Sequence, residues 1–436
     1  MVPVGSVPAD LSRRWPTPRW LILLGSVTVL LAIGTGVLLA GSASAANSGF
    51  DVIGRQAAPQ VKVSSDLYFA LSDLDAQAAN VLLVGDTLPR DRTAALNTYE
   101  QRRTQADADL EQAAADAGGD PAITSELDQL GKYEALVAQA FLLDQSAPEG
   151  HPAAAALTAY QQATDTMVAI LATAQTMINN NHNLLDNTYT AKRADTVTAR
   201  LFLILFGLLL ITALLALQFV LWKRQRRRLN PALLAGTVLA VVLTVLGIGV
   251  LSTASDRFQV AKSDAFDSII ALSQARSVSY NANADESRYL LDAQRTAQYE
   301  ASFSTKMDQV QQYLETELHN ITFTGEEAAA QKAFAAYSTY RADDGSMRAL
   351  LQASMPGNAI AFDIGTDSGD SDYDFTQYDN ALLAVIQINQ HAFDQAVHDG
   401  QAAVSPWTPW IPGLGALLII GLTGLGVWPR LTEYWR

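Results

Sequence analysis

A dense run of polar side chains interrupts an otherwise apolar helical pattern between residues 281 and 289. Asn281, Asp285 and Tyr289 are spaced four apart and share one helix face, and Glu286 and Arg288 lie between them. The matching helix in the first half of the chain carries Asp73, Asp75 and Asn80. Such side chains can form a buried structural network or a recognition site for a ligand or a protein. Both interpretations remain open at the level of sequence.

A second acidic segment spans residues 363–374. Asp370, Asp372 and Asp374 alternate as at the start of an EF-hand loop, but Phe375 occupies the sixth position and Ala381 the twelfth. The EF-hand pattern requires glycine and glutamate there. We therefore expect a solvated loop or a contact with a partner protein, and no bound metal.

No arrangement of residues indicates catalysis. The chain has no cysteine, no phosphate-binding glycine loop and no nucleophile elbow. The five histidines are not spaced as metal ligands: His151, His182, His319, His391 and His398. We predict a protein that is not an enzyme and binds no cofactor.

Two apolar runs, 201–222 and 232–252, organise the chain. Each is long enough to cross the hydrocarbon core of a bilayer. Basic side chains dominate the short turn between them: Lys223, Arg224, Arg226, Arg227 and Arg228. Because basic residues beside a membrane helix resist translocation, this turn is predicted to be cytoplasmic. It contacts either a cytoplasmic partner or anionic lipid.

Two further apolar segments and the charge distribution complete a four-span topology. The net charge of −15 is uneven: residues 46–195 carry −11, residues 253–408 carry −13, and the segments predicted to be cytoplasmic carry +8. All seven tryptophans lie beside a proposed membrane boundary. The spans themselves lack ionisable side chains, which disfavours a transporter.

This topology places both termini in the cytoplasm of a bacterium and two large domains outside its plasma membrane. The first apolar segment is predicted to be an uncleaved anchor, the alternative being a cleavable signal peptide. The predicted order is a cytoplasmic tail (1–19), span (20–41), outer domain (46–199), span (200–222), basic loop (223–231), span (232–252), outer domain (253–408), span (409–428) and cytoplasmic tail (429–436).

Each outer domain is predicted to be a four-helix bundle, so the fold class is an all-α membrane protein. Breaks at 85–92, 118–121 and 145–152 separate four helical stretches in the first domain. Breaks near 292–295, 320–325 and 355–374 do so in the second, where Thr324 and Glu327 are predicted to form a capping box. The outer helices can continue directly into the spans.

The two halves share short identities in the same order. Ala70-Leu71-Ser72 and Asn80 recur 201 residues later as Ala271-Leu272-Ser273 and Asn281, and Tyr99-Glu100 recurs as Tyr299-Glu300. Together with the repeated order of span, four helices and span, they indicate an internal repeat.

The chain resembles known sensory proteins. Tandem membrane-anchored bundles are similar to the sensory domains of bacterial chemoreceptors. The segments 66–80 and 282–291 resemble motifs of the GlnX-like membrane proteins of actinobacteria. That resemblance implies a signalling role with an amino-acid-binding lipoprotein outside and a soluble Ser/Thr kinase inside.

From these features we expect a transmembrane signal transducer that receives a glutamine, glutamate or aspartate signal, through the lipoprotein, and relays it to the kinase. The alternatives are a receptor that binds a small molecule directly, using Asp285, Glu286 and Arg288, and a membrane scaffold that does not switch. We expect contact with membrane lipids, no nucleic-acid partner and a possible homodimeric assembly.

Overall fold

The computed structural model describes residues 17–116, 121–225 and 230–432, and these residues form helices and their connections without any β-strand. The predicted all-α fold class is confirmed. In chain order the α-helices are α1 (Thr17–Val52), α2 (Ala58–Val84), α3 (Pro89–Asp116), α4 (Pro121–Leu143), α5 (Ala154–Gln225), α6 (Pro231–Gln259), α7 (Asp267–Leu291), α8 (Thr296–His319), α9 (Glu326–Gln352), α10 (Pro356–Asp363), α11 (Ser371–Val404) and α12 (Trp410–Thr432).

The first four-helix bundle consists of α2, α3, α4 and the N-terminal part of α5. Its core contains Leu71, Leu110, Tyr133 and Met167, one from each helix, all essentially inaccessible to solvent. Gly85 ends α2 with φ +59°, a backbone conformation that residues with a Cβ rarely adopt. The predicted breaks at 85–92 and 145–152 are confirmed by the ends of α2 and α4, while residues 118–120 of the predicted break 118–121 lie outside the described residues.

The second bundle consists of α7, α8, α9 and α11. Each of these four helices contributes buried residues to the core, for example Leu272, Met307, Tyr337 and Leu382. The short helix α10 lies between α9 and α11 and was not predicted. The predicted capping box at Thr324 is wrong: α9 begins at Glu326, whose carboxylate accepts the backbone N–H groups of residues 322 and 323 at 2.7 and 2.8 Å.

Both bundles belong to one compact unit formed by residues 51–190 and 258–398, hereafter the sensor unit. The first helices of the two bundles, α2 and α7, pack directly on each other and are buried on nearly every face. Tyr280 of α7 contacts Phe69 of α2 edge to face at 4.9 Å, and the Arg276 guanidinium lies 3.8 Å from the same Phe69 ring. Cation–π and edge-to-face contacts of this kind stabilise close helix pairs.

A π-helical segment stands at the same place in each half. Residues Ile53–Ala57 join α1 to α2, and Val260–Phe266 join α6 to α7. A π-turn inserts one residue into an α-helix without ending it, so the chain remains helical through both joints. The expectation that bundle helices continue into the apolar segments is confirmed, most simply by α5, a single helix of 72 residues.

The second compact unit comprises the described residues within 1–50, 191–257 and 399–436, hereafter the membrane unit. In the part of the chain that the structure describes, four continuous helices are long and apolar enough to cross a membrane, and they contain α1, α5, α6 and α12 in turn. The chain is therefore a multi-pass membrane protein. Small side chains allow close packing: an added Cβ at Gly36 would lie 3.0 Å from Ala416, and one at Gly207 would lie 2.4 Å from Thr244. Exposed leucine, valine and tryptophan side chains cover the outside of this unit.

Candidate functional site

A cleft of about 670 Å³ lies between the two bundles of the sensor unit. Its walls come from α2 and α5 of the first bundle and from α7 and α8 of the second. Ligand sites in proteins occupy about 300–1,000 Å³ and commonly lie between helices of bundles. We define this space as the inter-bundle cleft.

Helical spacing brings the polar side chains into the cleft. On α7, Asn281, Asp285 and Arg288 are four and three residues apart and therefore share a face. On α2, Tyr68 and Asp75 are two turns apart and line the opposite wall. Side chains of the polar run 281–289 are therefore directed toward the first bundle as well as toward the second bundle, to which α7 belongs.

Arg288 connects the two bundles at the base of the cleft. Its side chain is almost completely buried and forms ion pairs with Asp75 of α2 and, at 2.6 Å, with Asp285 of its own helix. Its Nε donates a hydrogen bond to the Tyr160 hydroxyl of α5 at 3.2 Å. The Tyr133 hydroxyl donates to the other carboxylate oxygen of Asp75 at 3.1 Å.

Lys306 of α8 completes the charged group. Its ammonium group lies 2.5 Å from the second carboxylate oxygen of Asp285 and also donates to the side-chain and backbone oxygens of Asn281 at 2.9 and 3.1 Å. Two carboxylates and two cations therefore form the charged base: Asp75, Asp285, Arg288 and Lys306. Their formal charges sum to zero.

Burial disfavours the charged form of each side chain in this group, so it acts in opposite directions on the pKa of an acid and on that of a base. It raises the pKa of Asp75 against the attraction of Arg288, and it lowers the pKa of Lys306 against the attraction of Asp285. For Arg288, burial opposes the charge, but Asp75, Tyr160 and Asp285 outweigh it and raise its pKa. Removing one member of such a buried group leaves an uncompensated charge.

Amide and hydroxyl groups line the rest of the cleft together with four apolar residues, Val168, Leu171, Ala172 and Val278. Its amides are Gln175, Asn179, Gln274, Gln298 and Gln309, and its hydroxyls include Thr164, Tyr299, Ser302 and Tyr313. The hydroxyl oxygen of Thr164 is buried without a hydrogen-bond partner among the described residues. These groups can donate and accept hydrogen bonds to a small polar ligand.

The structure places the other predicted site residues outside the cleft. Asp73 is buried and accepts a hydrogen bond from Arg102 at 2.5 Å, while Asn80 accepts one from Ser287 at 2.6 Å. Glu286 points away from the cleft and accepts a hydrogen bond from Tyr340. Tyr289 lies beneath the Arg348 guanidinium at 4.0 Å.

The acidic residues before and within α11 have structural contacts of their own. Asp370 accepts the backbone N–H of Asp367 at 3.2 Å, and Asp372 and Asp374 belong to the first turn of α11. Phe375 is buried in the bundle core. An EF-hand loop cannot form there, because the chain is already helical at Ser371.

Of the basic turn, the side chain of Lys223 is described, and its ammonium group lies 5.9 Å from the Phe219 ring centroid. Arg226, Arg227 and Arg228, like the side chain of Arg224, lie outside the described residues.

One cluster within the described ranges has the composition of a metal site: His182, Asp186 and Asp267. The ammonium group of Lys262 lies 2.5 Å from Asp186 and 2.7 Å from Asp267. Because Lys262 already pairs with both carboxylates, we interpret this cluster as an ion-pair network.

Sequence reasoning missed several members of the cleft. Lys306 lies beside the apolar seam of α8, next to Met307 and one turn from Phe303, and a lone lysine at such a position is a signal of a buried ion pair. Tyr133 and Tyr160 looked like ordinary core residues. Their hydroxyl groups gain a role only through carboxylate and guanidinium partners on other helices.

Residues 49–190 match the model of a protein family described as the actinobacterial sensor domain. The matched segment contains the whole first bundle and contributes Tyr68, Asp75, Tyr133 and Tyr160 to the cleft and its base. No curated protein and no solved structure shows significant similarity to the chain. The matched domain and the four apolar helices together support a transmembrane sensor.

Proposed function

We propose that the protein is a transmembrane sensor whose inter-bundle cleft receives a small amino acid and whose membrane helices relay that event to a cytoplasmic Ser/Thr kinase. The observation that carries the proposal is the charged base of the cleft, which brings two carboxylates and two cations from three helices together in a space of ligand size.

The charge balance of the cleft favours a ligand without net charge. A zwitterionic amino acid brings one ammonium and one carboxylate, which can pair with Asp285 and with Lys306 while the sum of the buried charges stays at zero. A ligand with net charge would leave one buried charge unpaired, at a cost of several kcal/mol. The amides of the cleft suit a polar side chain, so among the expected ligands we favour glutamine over glutamate and aspartate.

The helix α5 provides a path for the response. Its residues between Thr164 and Asn179 line the cleft, and the same helix continues without a break to Gln225. A ligand that binds one arrangement of α5 against α7 better than another shifts the population of those arrangements. A rigid helix carries such a shift along its length.

In this proposal the kinase is a separate partner inside the cell, as the resemblance to the GlnX-like proteins implies. We propose the basic turn, Lys223 to Arg228, as the contact. Replacing its five basic residues with glutamine, in a variant that still inserts in the membrane, is expected to abolish co-purification of the kinase. Unchanged co-purification would assign the turn to anionic lipid instead.

An amino-acid-binding lipoprotein is a second route for the same signal. The exposed loop 366–369 and the acidic residues that follow it offer a docking surface of negative charge. Reversing Asp370, Asp372 and Asp374 is expected to weaken docking of a partner with a basic face and to reduce its salt dependence.

Direct binding is tested by isothermal titration calorimetry on the full chain in nanodiscs, because both bundles form the cleft. We expect heat with glutamine in the absence of any other protein. Lys306→Met should abolish it, whereas Lys332→Met, which removes an exposed lysine of α9, should not. Heat that appears only when a binding lipoprotein is added would favour the second route.

A further inference from the structure

A second group of buried acids lies on the far side of α7 from the cleft. Glu286 of α7 is fully buried, and Asp363, the last residue of α10, is 4% exposed. Across the described parts of the chain, neither carboxyl group forms an ion pair with a basic side chain, although buried carboxylates usually have one.

Few hydrogen bonds reach the carboxyl groups of this pair. Tyr340 donates to one oxygen of Glu286, and Ser287 lies 3.4 Å from one oxygen of Asp363. The remaining oxygens, Oε1 of Glu286 and Oδ1 of Asp363, are buried with no hydrogen-bond partner in the described structure. The single hydroxyl proton of Ser287 serves Asn80, which is nearer at 2.6 Å. A contact from Asp363 to Ser287 is then favourable only if Asp363 supplies the proton.

Each helix packed near Glu286 and Asp363 places a negatively charged or a neutral side chain beside them. The groups that face the pair are Tyr340, Asp343 and Asp344 of α9 and Asp372 of α11. Asp374 lies beside Asp343, and Asp73 of α2 lies beside Asp372. The nearby cations are engaged: Arg348 pairs with Asp344, Arg102 with Asp73, and Arg288 faces the cleft with Asp285. Burial, and then Asp372, raise the pKa of Asp363 to about 8, and burial with Asp363 raises that of Glu286.

The position of Asp363 gives its protonation a structural consequence. The helix α10 packs on α7 and α9 of the second bundle, while its Ile360 joins the core of the first bundle. Ile360 also covers Gly150 in the α4–α5 loop, where an added Cβ would lie 2.6 Å from Ile360 Cδ1. This eight-residue helix therefore bridges the two bundles.

We propose that Glu286 and Asp363 form a proton-binding site through which pH controls the docking of α10 across the two bundles. With both groups protonated, the site is neutral and α10 is docked. Loss of the protons creates two buried negative charges among three further aspartates, and undocking of α10 lets Asp363 reach water. The protein thereby gains a second input, independent of the ligand in the cleft.

The sign of the effect follows from proton linkage. A carboxyl group whose pKa is raised in the docked state binds more protons docked than undocked between its ordinary pKa, about 4, and the raised value. Docking is therefore strongest at acidic pH and weakens as pH rises toward about 8. Each released proton changes the docking equilibrium by roughly tenfold per pH unit within that window.

Hydrogen–deuterium exchange of the full chain in nanodiscs tests the site between pH 6 and 9. After correction for intrinsic exchange, protection of residues 356–363 should fall with rising pH while that of the core helix α3 stays constant. Asp363→Asn, which is neutral at position 363 at every pH and leaves only Glu286 to titrate, should make protection of α10 less dependent on pH. Asp367→Asn, an exposed acid of the following loop, should behave as the wild type.

Glu286→Gln provides a second variant, which leaves one titrating group and should make the pH profile shallower. A flat wild-type profile would overturn the proposal. So would an Asp363→Asn variant that keeps the wild-type pH dependence, or a Glu286→Gln variant with unchanged slope and midpoint.

Discussion

At the scale of single residues, Arg288 is the side chain that links several helices of the sensor unit. It carries a buried positive charge and contacts Asp75, Asp285 and Tyr160, which belong to three different helices. A buried arginine with this many partners fixes the register between helices, because its planar donors match carboxylates only in a narrow range of positions. The cleft therefore depends on this residue for its shape.

Replacing Arg288 with methionine should strongly destabilise the sensor unit, because Asp75 is left buried without a counter-charge. The free energy of unfolding is expected to fall by about 3–5 kcal/mol. Thermal unfolding followed by circular dichroism in detergent measures it. Arg103→Met is the matched control, since Arg103 forms an exposed pair with Glu100 that is worth roughly 0.2–1 kcal/mol. Equal melting temperatures for the two variants would contradict the importance of the buried network.

Part of the cleft could be predicted at this scale. Asn281, Asp285 and Arg288 attract notice because polar residues interrupt a core-like helix, and Asp75 does so on the matching helix. Gln175 and Asn179 could not be recognised, because on the sequence of α5 they look like a solvent-exposed face. Only the packing of α7 and α8 against that face converts them into cleft residues.

At the scale of elements, the helix ends were predictable because local chemistry determines them. Pro89 and Pro121 begin helices, where the missing N–H has no cost, and Gly85 ends one with a positive φ. The helix α10 escaped prediction since eight residues are too few for a periodic pattern. Its start is marked only by Pro356, and its stability comes from packing through Ile360.

The continuity of α5 should be necessary for signalling and unnecessary for binding. Ala194→Pro places a proline at an exposed position inside this helix, at a cost of about 3 kcal/mol in helix stability. We expect new proteolytic cleavage near residue 194 and an unchanged heat of glutamine binding. Kinase recruitment should no longer respond to the ligand. Ala194→Gln keeps the helix and should keep the response; loss of the response in both variants would rule out this explanation.

At the scale of the whole molecule, the joining of two bundles in one unit was the least predictable feature. The repeat suggested two similar domains, and their identities gave no direct sign of a contact. A signal was nevertheless present: between Leu67 and Ala79 small and apolar residues occupy every face of α2, and twelve of these thirteen residues are buried. A helix that is buried all round must be covered on its second side by another element, here α7.

The predicted topology can be tested directly, because the chain has no cysteine. Single cysteines at Ala154 and Gln331, both exposed, should react with a membrane-impermeant maleimide in intact cells. A cysteine at Lys223 should react only after the cells are opened. Labelling of Ala154 and Gln331 on opposite sides of the membrane would exclude the proposed arrangement, since both belong to the same sensor unit.

The paired π-turns also bear on how this protein can vary in length. Each holds one residue more than a regular helix needs, so deleting a residue from Ile53–Ala57 or Val260–Phe266 would leave an ordinary α-helix rather than a gap. The side chains beyond the deletion would keep roughly their directions, because each π-helical residue turns the chain by less than an α-helical one and the wide turn already accommodates the extra residue. Natural relatives that lack a single residue at either of these joints would therefore be expected to point the same helix faces toward the same neighbours.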